Sequence, residues 1–181
     1  MRKFLGALLA TSMLLPIGLV GVPPAAAAAS GTTCKSFSGV GVFSATLPKL
    51  GSNGKVRAVL TATGPVSGCG GGGVTSGTAR FVSTKSAPEN CGTLATAPTP
   101  VIKGTETITW STGKVSKIAF VLNEISGNPV TTQALSGTVT SGPFKGMRQK
   151  GLLMYAPLNG GCTTKGLSKI SYKSSGSMVI K

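Results

Sequence analysis

Neither histidine nor aspartate occurs anywhere in the 181 residues, and the only carboxylate side chains are Glu89, Glu106 and Glu124. Those absences exclude Ser-His-Asp and Cys-His catalytic sets, histidine metal sites and aspartate dyads. A carboxylate pair for glycoside hydrolysis would need two of three scattered glutamates. The expectation is a protein that is not an enzyme and carries no cofactor or metal, the rival being a hydrolase built on Glu106 or Glu124. Aromatic residues are also scarce, with one Trp, two Tyr and six Phe. That leaves few stacking platforms and argues against nucleic acid as a partner despite the positive charge. Helical grammar is missing as well: beyond residue 30 no segment sustains apolar residues at i, i+3, i+4 and i+7.

The amino terminus has the parts of a secretory signal. Arg2 and Lys3 precede the apolar run Phe4–Val20, and Ala25–Ala29 supplies small residues for cleavage. Pro16 breaks the run, whereas a retained transmembrane helix needs about twenty clean apolar residues. The reading is a signal peptide at 1–29 and one secreted β-domain at 30–181, extracellular or held at the cell envelope, with no membrane-spanning segment after cleavage. Removal of Arg2 and Lys3 leaves 16 basic residues against three glutamates, a net +13.

Cys34, Cys69, Cys91 and Cys162 all lie beyond the signal, at spacings of 35, 22 and 71. Zinc sites favour close C-x-x-C pairs, so two disulfides are expected, with three connectivities open. Short alternating runs bounded by Gly, Pro, Asn and Ser predict strands over Ser36–Leu47, Lys55–Thr63, Gly77–Ser83, Gly104–Trp110, Lys114–Asn123, Val130–Thr140, Met147–Tyr155 and Gly166–Lys173. A last short strand follows Gly176, and a long loop spans Thr84–Lys103. About eight strands joined mostly by hairpins predict an all-β, antiparallel up-and-down barrel, with a two-sheet sandwich as the alternative. In up-and-down order Cys34 and Cys69 share one end, and Cys91 and Cys162 the other. A disulfide needs Cα atoms within about 7 Å, which a strand length of roughly 20 Å forbids across the barrel. The predicted pairs are Cys34–Cys69 and Cys91–Cys162.

The order of motifs resembles a group of small secreted actinobacterial proteins, Gly/Thr-rich with four cysteines. The likeness lies in Ser67-Gly68-Cys69 with its glycine run, Val74-Thr75-Ser76-Gly77-Thr78, Asn90-Cys91-Gly92, Gly104-Thr105-Glu106-Thr107-Ile108-Thr109-Trp110, the stretch from Gly137 through Gly146, and Cys162. No activity is established for that group, so the resemblance implies export and an all-β domain and brings no chemistry.

Other motifs reduce to turns. The glycines after Cys69 lead into a strand rather than the helix a phosphate loop requires. Ser52-Asn53-Gly54-Lys55 and Ser111-Thr112-Gly113-Lys114 have the Ser-x-x-Lys spacing of penicillin-recognising enzymes, but both sit in turn contexts. Glu106 shares a strand face with Ile108 and Trp110, so it is either a cavity residue needing an internal partner or, as preferred, a wetted rim position or a residue on a strand facing the other way. Lys145, Arg148, Lys150, Lys165, Lys169 and Lys173 are candidate anion-binding residues on two adjacent strands that could merge into one stripe. The expected partner is an anionic envelope polymer on this face or a small ligand in the barrel mouth. An interaction or inhibitor domain presenting the Thr84–Lys103 loop is the alternative.

Overall fold

The structure is a computed structural model that describes residues 30–84, 88–91, 102–124 and 132–181. The segment 1–29 expected to be a signal peptide, most of the span Thr84–Lys103 expected to be a long loop, and residues 125–131 lie outside the described residues. The strands are β1 (Thr32–Leu47), β2 (Leu60–Gly70), β3 (Gly77–Ser83), β4 (Ile102–Trp110), β5 (Val115–Glu124), β6 (Thr132–Ser141), β7 (Arg148–Pro157), β8 (Gly160–Gly161), β9 (Gly166–Ser174) and β10 (Met178–Ile180). Nine of them, all but β8, close into a single antiparallel ring in up-and-down order. The expected all-β, barrel-like architecture is therefore present, and the sandwich is not.

Closure is made by a composite stave. β9 pairs β1 from Ser38↔Lys173 upward, and β10 pairs the start of β1 through Cys34↔Met178. On the other side β9 pairs β7 at Tyr155↔Tyr172, and β10 pairs it at Lys150↔Val179. β1 therefore begins at Thr32, four residues earlier than its pattern suggests, because β10 and Cys69 both bind that end.

The second strand departs most from expectation. Gly64-Pro65 looks like a breaker, yet β2 runs straight through both. A side chain on Gly64 would overlap the Ser38 carbonyl, so glycine here serves a close approach of β1 and β2 rather than a turn. Residues 55–59, expected in that strand, instead hold the loop near the second disulfide: Val56 and Glu89 exchange two backbone hydrogen bonds of 2.8 Å.

Each end of the ring has its own plug. At one end Trp110 donates its indole N–H to Ser116 Oγ at 2.8 Å, and Ser116 donates to the Pro143 carbonyl at 2.7 Å. Phe144, held at φ 67°, packs edge-on against Trp110 at 5.5 Å. At the other end Leu47, Ala58, Leu60, Cys91, Leu167 and Ile170 form a small apolar cluster. The disulfides divide the same way, Cys34–Cys69 at the first end and Cys91–Cys162 at the second, with Cα separations of 3.9 and 5.4 Å. Both pairs match strand parity.

These cross-links span 35 and 71 residues of sequence. Closing loops of that size restrains the unfolded chain by about 4 kcal/mol each in the chain-entropy account. Double serine replacement of either pair should lower the guanidinium unfolding free energy by about 2–4 kcal/mol. A loss below about 0.5 kcal/mol at Cys34 and Cys69 would show that the ladder alone secures that end.

Candidate functional site

Two regions could carry function: the interior of the ring and its outer wall. Among the described residues the interior is packed with side chains. Phe37, Phe81, Phe120 and Tyr172 point inward from β1, β3, β5 and β9, and their rings meet at 5.1–6.2 Å. Between this cluster and the second plug lies an apolar cavity of about 20 Å³ bordered by Leu60, Leu122, Tyr155 and Tyr172. That is room for about one water, far below the several hundred Å³ that a small-molecule site encloses.

Glu106 lies within this interior. Alternation along β4 sends Glu106, Ile108 and Trp110 inward, and register places Glu106 between Phe81 on β3 and Ile118 on β5. It has no exposed surface, so the preferred rim position is overturned: Glu106 is walled by β3, β5 and the aromatic cluster. No inward lysine or arginine compensates it among the described residues. Gln149, inward on β7, is near enough to ease the carboxylate, but its amide N–H goes to Met178 Sδ at 3.2 Å, and both Glu106 oxygens lack a partner. Gly137 makes the space for Gln149, since a side chain there would press on Ile118 and the Gln149 amide oxygen. Desolvation therefore dominates and pushes the carboxyl up to about 8, with Gln149 drawing it back only in part. At neutral pH Glu106 is a neutral acid with an O–H to donate, and Gln149 Oε1 is also unpartnered. Tyr172 is raised by burial and then by the Glu106 charge, and Tyr155 by burial and then by Tyr172. Sealed from solvent and, among the described residues, without a second carboxylate beside it, Glu106 has the surroundings of a core residue.

Trp110, a possible cavity residue on the same face for which core packing is the preferred expectation, is buried, 2 % exposed. Glu124 ends β5 opposite Gln133. Among the described residues no group of three or more His, Cys, Asp or Glu is placed to hold a metal.

The outer wall carries the charge. Arg148 and Lys150 project outward from the start of β7, with Lys145 exposed in the preceding turn. Lys169 and Lys173 project outward from β9, and Lys165 is exposed just before it. They are not side by side. Arg148 and Lys150 face β10, where the Arg148 and Lys181 backbones exchange hydrogen bonds of 2.8 and 3.0 Å. Lys173 faces Met154, four residues further along β7, or ~13 Å. The wall thus has a lower group, Arg148, Lys150 and Lys181, and an upper group, Lys169 and Lys173, with Leu152 between. Lys181 joins only because β10 completes the closing stave. The alternation Met178, Val179, Ile180 was the signal that its neighbours would point outward.

No family model, curated protein or solved structure matches the chain.

The buried acid gives a defined pH dependence. Below about pH 4.5 Glu106 is protonated in both states, and its contribution to stability is fully present. Between 4.5 and about 8 only the unfolded chain ionises, and stability falls by on the order of 1.4 kcal/mol per pH unit. Above about 8 the loss is complete. Glu106→Gln should be more stable than wild type at pH 7 by about 3–4 kcal/mol and close to it near pH 4.5, measured by urea unfolding. Parallel pH profiles for the two proteins would contradict a buried neutral acid.

Proposed function

We propose that the mature chain is a non-enzymatic, exported β-domain that binds an anionic polymer of the cell envelope through the outer wall formed by β7, β9 and β10. The observation that carries this reading is charge of one sign on one wall. Arg148, Lys150, Lys169, Lys173 and Lys181 are exposed there, and none of the three glutamates lies on β1, β7, β9 or β10. Such a wall attracts a polyanion over several ångströms and needs no cavity. The close aromatic packing of the described interior supports surface binding over a ligand held inside the ring. The burial of Glu106 supports a structural role for it over a hydrolytic one. Two disulfides fit an oxidising compartment, which is where an exported protein would meet envelope polymers.

Soluble poly(glycerol phosphate) is a suitable probe. Arg148→Glu with Lys169→Glu should weaken its binding at least about tenfold more than Arg80→Glu with Lys117→Glu, a pair exposed on β3 and β5. Wild-type binding should collapse between 0.1 and 1 M salt, as the screening length falls from about 10 to about 3 Å. Equal small losses in both double variants would leave the charge as a solubility device.

A further inference from the structure

Exposed aliphatic side chains are concentrated on part of the same wall. Val40 and Val42 on β1 are 40 % and 49 % exposed, and Leu152 and Met154 on β7 are 39 % and 36 % exposed. β9 runs between these strands and presents Lys169, Ser171 and Lys173 outward. Val42 stands opposite Lys169, Val40 opposite Ser171, and Met154 opposite Lys173 on the other side. Two aliphatic rows therefore flank a row of lysines, across about 10 Å at ordinary strand spacing. The far wall differs: Thr78, Arg80, Thr107, Thr109 and Lys117 face outward there, and among the described residues of its strands Val115 is the single strongly exposed large hydrophobic. Isolated exposed hydrophobics are ordinary, whereas a basic-rimmed group is a contact surface.

We infer that the wall of β1, β9 and β7 rests on the surface of an anionic phospholipid bilayer. Three features select this occupant. The ring leaves β1, β7 and β9 hydrogen-bonded on both sides, so a partner cannot add a strand there and must dock on side chains. The wall is the convex outside of a ring, a shape that meets a flat surface and does not enclose a peptide or small molecule. Its charge complements lipid phosphates: exposed lysines set between aliphatic rows are the combination of side chains that snorkels at a headgroup boundary. Valine, leucine and methionine at these exposures enter only the headgroup–acyl boundary, so adhesion is peripheral and needs the lysines as well.

Co-sedimentation of the mature protein with vesicles tests this. Wild type should partition onto an equimolar mixture of phosphatidylglycerol and phosphatidylcholine and much less onto phosphatidylcholine alone. Val42→Thr with Met154→Gln, and separately Lys169→Glu with Lys173→Glu, should each reduce partitioning about tenfold or more. Arg80→Glu with Lys117→Glu should change it by no more than about twofold. Should the first variant fail to fold by thermal melt, Val40→Thr with Leu152→Gln takes its place. The aliphatic variant should still bind poly(glycerol phosphate) as wild type does, which separates this inference from the polymer reading. The inference is overturned if wild type ignores the anionic vesicles, binds both vesicle types equally, or loses nothing in the aliphatic variants. Failure on vesicles with intact polymer binding would leave the polymer reading standing.

Discussion

Ring closure rests on a stave made from two strands, β9 and β10, which run in the same direction and bond β1 on one flank and β7 on the other. Ser175 to Ser177 join them, and the register on β7 shifts across that joint: Leu153 pairs Ser174, while Lys150 pairs Val179. Closure satisfies backbone groups that an open sheet would leave at its two edges. It also fixes which face of every strand is inside. Phe37, Phe81, Phe120 and Tyr172 can then meet at the centre, and Tyr172 lies against Gly39 on the neighbouring strand, where a side chain would collide with its ring. Everything polar and charged is driven to the outer wall except a few groups.

Glu106 is the main exception, and its surroundings explain how an acid is tolerated there. A charge at that depth without a partner would be prohibitively costly, so the group keeps its proton. The neutral acid sits with the Gln149 amide oxygen and the Tyr172 hydroxyl, which are also buried and unpartnered. This small polar island in an otherwise apolar interior carries a stability cost that grows with pH. It is a feature of the core, distinct from the basic surface of the wall.

Much of this was legible in the sequence because alternation and turn chemistry are local. Gly113 at φ 77° closes the Trp110–Lys114 turn where Ser111-Thr112-Gly113 announced it, and strand parity was enough to pair the cysteines. Misreadings arose where long-range geometry decides. Gly64-Pro65 has turn composition, but β1 passes so close that glycine is needed within a strand. Period-two alternation told which face Glu106 shares but not its depth, since depth depends on closure. The charges of β7 and β9 were expected to merge, but the joint at Ser175–Ser177 sets Arg148 and Lys150 against β10 instead. The two-residue β8 and the aliphatic rows beside Lys169 and Lys173 gave no signal until neighbouring strands were known.

The central claim is that the interior of this ring is structural and that binding belongs to the wall of β7, β9 and β10. Amide chemical-shift mapping during titration with poly(glycerol phosphate) tests it most directly. The account predicts perturbations at Arg148, Lys150, Lys169, Lys173 and Lys181, with Phe81, Phe120 and Glu106 unmoved and Arg80 and Lys117 little changed. Perturbations centred on the interior residues, or spread evenly over all exposed basic residues, would contradict it.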